Sequence, residues 1–128
     1  MKSEQGFSLL SILVAVMIIG ILAAIAVPKF NSAMVSANTA RVKADLSTLD
    51  SAIVMYKLEH GDDPAKIGDL DAYVTDINHL TPPKGNVYVK GADGTQTVAL
   101  NEASYGIEKG TDETRAVVGT YKNGDLGK

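Results

Sequence analysis

The sequence contains no cysteine and no tryptophan, and aromatic residues make up only 5% of its 128 residues. Without cysteine the chain forms neither a disulfide bond nor a thiolate metal site, and the usual indication of its redox compartment is missing. Twelve Lys and Arg residues are scattered among 15 Asp and Glu residues, which gives a net charge of -3. The sequence therefore has no basic cluster for nucleic acid, and no nucleic-acid partner is expected.

Motifs of catalysis are also missing. The sequence has no glycine-rich phosphate-binding loop, no Gly-x-Ser-x-Gly elbow and no pair of histidines at metal-binding spacing. His60 and His79 fall in different predicted elements and are expected in solvent, whereas the tyrosines are expected in core and sheet packing. We therefore predict that the protein is not an enzyme.

Four aspartates follow each other closely in the middle of the chain, at Asp62, Asp63, Asp69 and Asp71. Hard oxygen ligands at short spacing suit calcium, although these four do not form an EF-hand loop. Asp69 also suits the start of a short helix, where an aspartate caps free backbone amides. The main prediction is a protein without a cofactor, and calcium at these aspartates is the alternative.

An uncharged apolar run, FSLLSILVAVMIIGILAAIAV, covers residues 7–27. As a helix this run is about 31 Å long, which matches the hydrocarbon thickness of a bilayer. Exposing it to water is unfavourable by about 25 cal/mol for each Å² of apolar surface. The run is therefore expected in a bilayer or in a bundle of its own copies.

Two simple interpretations of this run are a secretory signal peptide and a single-pass anchor. Ala24-Ile25-Ala26 has the small-x-small pattern of a signal cleavage site, but the run exceeds the roughly 7–15 apolar residues of a signal core. An anchor would place Lys2 on the cytoplasmic side and everything after Pro28 outside. Neither interpretation explains the residues at the edges of the run.

Those edges resemble the processing site of type IV pilins and pseudopilins. A short charged leader ends in Gly6, Phe7 opens the apolar helix, and Gly20, Ala24 and Pro28 stand where pilins place a glycine, small residues and a proline. The resemblance implies that a prepilin peptidase cuts between Gly6 and Phe7 and methylates the new amino terminus. It also implies that Phe7, Gly20, Ala24 and Pro28 contribute to self-assembly into a helical filament.

Ser11 completes this predicted self-assembly set, but it departs from the family pattern. Pilins usually carry a glutamate at this position, and its carboxylate pairs with the amino terminus of a neighbouring subunit in the low-dielectric core of the filament. The Ser11 hydroxyl has no charge, although it can bond to a carbonyl one turn back. A minor pilin, a tip subunit and a different docking contact, with Ser8, Ser11 or a carbonyl as acceptor, all remain open.

One long helix is predicted from residue 7 to about residue 60. Gly20 and Pro28 mark a bendable stretch, and Gly20 with Ala24 also forms a small-xxx-small packing face. Beyond it, two apolar stripes follow helical spacing: the first is Phe30, Ala33, Ala37, Ala40 and Ala44, and the second is Val42, Leu46, Leu49, Ile53 and Tyr56. Arg41, Lys43, Asp45 and Asp50 fall off the second stripe. The second stripe is expected to pack on the rest of the chain, and Gly61 to end the helix in a left-handed conformation.

After residue 60 the pattern changes to turns and short β-rich runs. Residues 67–77 predict a short helix or an ordered loop, and runs at 86–90, 95–100, 104–108 and 115–121 predict two antiparallel pairs. The predicted fold class is α+β and pilin-like: a long N-terminal helix, half of it protruding and hydrophobic, packed on a small antiparallel sheet of about four strands. The predicted division is a cleaved leader (1–6), a transmembrane or filament-core helix (7–28), an amphipathic continuation (29–60) and a β-rich head (61–128).

The function predicted from this resemblance is a structural subunit of a type IV pilus. The precursor is expected in the cytoplasmic membrane as a single-pass protein with a cytoplasmic N-terminus, and the assembled subunit in a pilus at the cell surface, where the head decides adhesion or filament contacts. The expected partners are other copies of the chain, the prepilin peptidase, the assembly platform and the bilayer. The alternatives are a pseudopilin of a type II secretion or DNA-uptake system and an anchored binding domain that does not polymerise.

Overall fold

The computed structural model describes residues 8–128, so the predicted leader and the predicted cut between Gly6 and Phe7 lie outside the described residues. Backbone contacts divide the chain into two units, Met1–Ala33 and Met34–Lys128. A single helix, α1, runs over Leu9–His60 and contributes residues to both units. Within residues 8–128, all β-strands belong to the second unit.

The described part of the first unit is helical from Leu9 onward and has no core. Ser8 stands just before the helix, and its hydroxyl accepts a hydrogen bond from the Ser11 amide at 3.3 Å, as expected of a serine that caps a helix N-terminus. Pro28 lies inside α1 and does not end it. From residue 8 to the end of this unit every residue is exposed, so the fold of this unit comes from helical backbone bonds alone.

In the second unit α1 packs along the predicted second stripe. Val42, Leu46 and Leu49 are completely buried, Ile53 is nearly so, and Tyr56 packs at the margin of the core. Spacings of three and four place these side chains on one face of the helix, which explains why they share one environment. The prediction that this stripe packs on the following chain is confirmed.

The end of α1 is set by Gly61, as the sequence predicts. Gly61 has a φ of 79°, and its amide donates to the Lys57 carbonyl at 2.8 Å. Glycine takes this left-handed conformation without the clash that a Cβ atom causes, so the last helical carbonyls find a donor. Pro64 follows in a buried position and cannot continue the helix.

The predicted ordered segment after the helix consists of two 3-10 turns, Ile67–Leu70 and Ile77–His79. Leu70 and Ile77 point into the core, which explains the apolar residues in this otherwise polar stretch. The Asp69 carboxylate accepts hydrogen bonds from the Ala65 and Lys66 amides at 3.0 and 3.1 Å. Asp69 therefore caps the first turn, which was one of the two roles expected for it.

In the described part of the chain, five antiparallel strands form two sheets: β1 is Asn86–Gly91, β2 Gly94–Ala99, β3 Tyr105–Lys109, β4 Thr114–Val118 and β5 Tyr121–Lys122. The strands β1 and β2 form the predicted hairpin, with Gly91 opposite Gly94, and β3, β4 and β5 form a meander in that order. The predicted α+β class is confirmed. The predicted run 115–121 is divided, however, because Gly119 turns the chain with a φ of 60°.

The core lies between the buried stripe of α1 and both sheets. In β1 the buried residues Val87 and Val89 alternate with exposed or half-buried ones, as expected of a strand with one buried face. In β4, the central strand of its sheet, three consecutive residues are buried. The residues that cover the helix stripe from the other elements include Leu70, Ile77, Val87, Val89, Ala116, Val118 and Leu126.

Candidate functional site

The part of α1 in the first unit presents an extensive exposed apolar surface. Its large apolar side chains from Leu9 to Phe30 are between 45% and 74% exposed. Within residues 8–128, α1 is the one helix whose length and composition suit a membrane span. Because burying an apolar side chain of this size gains about 1.5–3 kcal/mol, this surface is expected to be covered by lipid or by other protein.

Gly20 and Ala24 lie four positions apart on the same face of this helix, where the sequence predicts close packing. A Cβ atom placed on Gly20 would meet no other atom of the chain within 4 Å. The packing of the isolated chain therefore does not require a glycine here. A close contact with a neighbouring helix, as predicted for Gly20, Ala24 and Pro28, would explain why the residues at positions 20 and 24 are small.

Ser11 faces Ser8 across the first turn of α1, with 3.2 Å between the two hydroxyl oxygens. The carbonyl one turn before Ser11 belongs to Phe7, which lies outside the described residues. The capping role of Ser8 was missed in the sequence analysis, although a serine directly before an apolar helical run is its ordinary signal. The first described turn therefore presents two hydroxyls and no charged group.

A second exposed surface lies on α1 within the second unit, on the face opposite the buried stripe. We call this surface the outer seam; it consists of Ala37, Ala40, Ala44, Ser47, Ser51, Val54 and Leu58, all of them exposed and uncharged. Leu58 is 77% exposed and Val54 58%. The steps of three and four residues are those of a helix that packs lengthwise on another helix. The sequence analysis identified its first three residues and missed the other four, although the spacing continues through them.

Polar contacts to the first sheet fix which face of the helix points outward. The Thr39 hydroxyl donates to the Val35 carbonyl at 2.7 Å and accepts from the Tyr88 amide of β1 at 2.8 Å. The Asn38 amide group donates to the Asn86 carbonyl at 3.2 Å. Because these bonds join side chains of α1 to the backbone of β1, a rotation of the helix would leave polar groups unpaired.

Two aspartates of α1 likewise join the helix to the second sheet, which consists of β3, β4 and β5. Asp45 accepts a hydrogen bond from the Tyr105 hydroxyl at 2.5 Å, and Asp50 accepts from the Ala116 amide at 2.7 Å. Burial, together with the Asp45 carboxylate, raises the pKa of Tyr105. The prediction that both aspartates fall off the buried stripe overlooked that they flank it, half-buried, within reach of the strands.

Two of the four aspartates proposed for calcium, Asp63 and Asp69, have other partners. Asp69 caps a backbone turn, and Asp63 lies 3.3 Å from the Lys57 ammonium. The Thr114 hydroxyl, followed by Lys57, holds the pKa of Asp63 below its ordinary value despite partial desolvation. In the part of the chain that the structure describes, no three His, Cys, Asp or Glu residues are grouped to hold a metal ion. Calcium at these residues stays a prediction.

The chain was compared with known proteins. The family model described as the prokaryotic N-terminal methylation motif matches residues 1–27. The type II secretion system core protein G of Escherichia coli K12 is 34% identical over 111 residues, which are 80% of this chain and 76% of that protein. Proteins of the same name from Klebsiella michiganensis and Pseudomonas aeruginosa are 36% and 37% identical, over 68% and 65% of this chain. These matches cover 60% and 58% of the two relatives, so the chain spans less than two thirds of their length. No solved structure matches the chain.

An exposed apolar helix followed by a small α+β head, together with the methylation motif, defines a class of membrane-anchored proteins that are structural and not known as enzymes. The chain belongs to the type IV pilin and pseudopilin family. The resemblance found in the sequence is thus confirmed.

Proposed function

We propose that this chain is a pseudopilin, a structural subunit of the filament of a type II secretion system. The relatives that match it carry the name of a secretion-system core protein, and this supports the alternative of the sequence analysis over the type IV pilus that was placed first. The observation that carries the assembly role is that every large side chain of the apolar segment of α1 is exposed, with no partner from the described chain.

In this proposal the apolar helix has two environments in turn. The precursor sits in the cytoplasmic membrane, and the prepilin peptidase removes residues 1–6 and methylates Phe7. The assembly platform then transfers the subunit from lipid to a bundle of identical helices. Because both environments are apolar, the transfer exposes little apolar surface to water. A contact between different surfaces of identical subunits gives a helical filament when each step adds a rise along the axis, so that the repeated contact does not close into a ring.

The outer seam supports the same role at the level of the head. Five of its seven residues are alanine or serine at steps of three and four positions, and small side chains let two helix backbones approach closely. The polar bonds of Thr39, Asp45 and Asp50 hold this face outward. A subunit built in this way can contact neighbours along much of its helix.

The proposal is tested by producing the full chain together with a prepilin peptidase and a type II secretion assembly platform. We expect a mature protein that begins with methylated Phe7, identified by mass spectrometry, and filaments in sheared material under the electron microscope. A Gly6→Leu variant keeps the apolar helix and alters the residue before the cut, so it should remain uncut and form no filaments.

Three results would contradict the proposal, each in favour of a different function. An intact Met1 in the membrane-bound wild type indicates a plain anchor. A mature protein beginning at Val27 indicates a secretory signal peptide. Filaments that form only with a type IV pilus platform indicate a pilus subunit.

A further inference from the structure

The strand β2 lies at the edge of its two-stranded sheet, where its outer side meets no other strand within residues 8–128. Five of its six residues are exposed, and the sixth, Val98, is half-buried. An edge strand carries a row of backbone N–H and C=O groups with which another extended chain can pair. The outer side of β2 is therefore accessible to such a chain over its whole length.

The hydrogen bonds of Tyr88, in the neighbouring strand β1, show which groups of β2 point outward. The Tyr88 amide donates to the Thr39 hydroxyl at 2.8 Å, and the Tyr88 carbonyl accepts from the Gly127 amide at 2.9 Å. Tyr88 thus makes no ladder bond to Thr97, its partner in the register, and Thr97 directs its own N–H and C=O away from β1. Every second residue of β2 has this orientation; these residues are Thr95, Thr97 and Ala99.

The other strand edges in the described part of the chain are covered, charged or short. The outer edge of β1 is bonded to Asn38, Thr39 and Gly127. The strand β3 ends in Glu108 and Lys109, and β5 has only two residues. Proteins protect an edge by a short strand, a charged side chain, a proline or a bulge, and β2 has none of these. This contrast singles out β2 as the edge that suits pairing.

The two faces of this sheet differ in chemistry. On the inner face, Val98 packs against the core. On the solvent face, Thr95 lies opposite Lys90, and the Lys128 ammonium lies 4.8 Å from the centre of the Tyr88 ring. Within residues 8–128 no Asp or Glu carboxylate lies within 4.0 Å of either lysine ammonium. A strand added to β2 would therefore meet apolar surface on one face and positive charge on the other.

We propose that the outer edge of β2 binds an extended segment of another protein, which joins the sheet as a third strand. The segment alternates apolar and acidic side chains, because alternate residues of a strand point to opposite faces of a sheet. Backbone bonds to the outward donors and acceptors of β2 give affinity, and the two faces select the side chains. This inference goes beyond the proposed function, because it concerns the head of a single subunit and does not require a filament.

A second copy of β2 fits this edge less well than such a segment does. Two β2 strands that pair antiparallel through their outer edges form an isologous contact, which closes after two copies and does not extend along a filament. The strand also carries no carboxylate between Gly94 and Ala99. A second copy would therefore bring no negative charge to Lys90 and Lys128, whereas an acidic segment would.

Hydrogen exchange in the full chain tests this contact. The chain in dodecyl maltoside micelles is mixed with a synthetic peptide in which Val and Glu alternate, and amide exchange is followed by NMR. The peptide should slow exchange of the outward amides of Thr95, Thr97 and Ala99 about tenfold, because these amides become hydrogen-bonded. The amides of Gln96 and Val98 point to β1 and form the control within the same strand, so their exchange should not change.

A backbone variant tests whether the edge itself holds the peptide. Thr97→Pro removes one outward N–H, which an edge strand tolerates, and should reduce the protection of Thr95 and Ala99. Thr97→Val keeps the N–H and is the matched control, so it should bind the peptide as the unaltered chain does.

A charge variant tests the partner's chemistry and leaves β2 unaltered, so it decides the matter even where Thr97→Pro does not fold. Lys90→Glu should weaken binding of the Val-Glu peptide and strengthen binding of a Val-Lys peptide, each about threefold, as charged neighbours do on one face of a sheet. Lys66→Glu changes an exposed lysine outside the sheet by the same charge and should leave both affinities unchanged.

Three results would overturn the inference. The first is unchanged exchange of the outward amides in the presence of excess peptide. The second is equal binding of the Val-Glu and Val-Lys peptides, which contradicts the acidic partner. The third is protection that needs no peptide and rises with protein concentration, which shows that a second copy pairs with the edge. None of these measurements depends on filament formation, so the proposed function is decided by its own experiment.

Discussion

The two parts of α1, one in each unit, are both α-helical but differ in the exposure of their apolar side chains. These side chains are exposed in the first part and largely buried in the second. Between Leu9 and Val27 the helix is apolar on every side apart from Ser11, and all its large side chains are exposed. Between Met34 and His60 one face is buried by strands and turns of the same chain, and the opposite face, the outer seam, is exposed and uncharged. The helix therefore forms with or without a core. The core determines how much apolar surface of the helix stays exposed and available to partners.

This comparison shows where the stability of each part comes from. In the second unit a buried stripe and several polar bonds to the strands hold the helix, so the head carries its own stabilising contacts. In the first unit the apolar side chains have no partners within the chain, and their transfer free energy is gained only in lipid or in an assembly. Substitutions in the two parts should consequently affect different measurements.

The largest effect is expected when a charge is introduced into the apolar part of α1. Ile19→Asp should abolish filament formation, because an aspartate at the centre of a membrane helix is unfavourable by about 2.5–3.5 kcal/mol for insertion alone. Thermal unfolding of the head, followed by near-ultraviolet circular dichroism in detergent, should be unchanged. Ile19→Leu is the control and should assemble normally; a destabilised head in Ile19→Asp would show that the two parts are not independent.

The next effect is a cavity in the head. Leu46 is completely buried, and Leu46→Ala should lower the free energy of unfolding by about 2–5 kcal/mol in urea titrations. Leu58 lies on the same helix but is 77% exposed, so Leu58→Ala should change this free energy by less than about 0.5 kcal/mol. Equal losses in both variants would mean that the outer seam is covered in the isolated chain.

A smaller effect is expected from the bonds that fix the rotation of the helix. Asp50→Ala removes the acceptor of the buried Ala116 amide and should reduce the free energy of unfolding by about 1–3 kcal/mol. Asp62→Ala changes an exposed aspartate near the end of the same helix and is the matched control. A neutral Asp50→Ala variant would show that water replaces the carboxylate at this position.

The smallest effect is a dependence of stability on alkaline pH. The hydrogen bond to the Glu59 carboxylate raises the pKa of Tyr73 from 10.0 to about 12. Above pH 10 the unfolded chain loses this proton while the folded chain keeps it, so stability is complete below pH 10 and falls as the pH rises towards 12. Glu59→Gln should lower the pKa of Tyr73 in an ultraviolet titration and make this fall shallower; an unchanged titration would contradict the assigned cause.

The long helix and its buried stripe were predictable because a periodic pattern over many residues outweighs local exceptions. The end of α1 at Gly61 and the hairpin turn from Gly91 to Gly94 were predictable too, because both depend on local backbone conformations that glycine favours. The division into two sheets was not, because pairing depends on contacts far apart in sequence. The short strand β5 was missed because Gly119 and Thr120 interrupt a run whose composition looks continuous.

The candidate site was only partly visible in the sequence. The motif around Gly6, Phe7, Gly20 and Pro28 led to the family, because it is contiguous and specific. The roles of Asp45 and Asp50 depend on Tyr105 and Ala116, which are 60 and 66 positions away, and no local pattern indicates such partners.

The bonds from Thr39, Asp45 and Asp50 also have a mechanical meaning. They attach the helix to β1, β3 and β4 at three levels separated by roughly 8–9 Å of helical rise each. Tension applied to the head would thus be shared by several anchor points loaded in shear and would not peel them away one after another. If a subunit is pulled out of a bilayer by its head, these bonds would keep both sheets attached to α1.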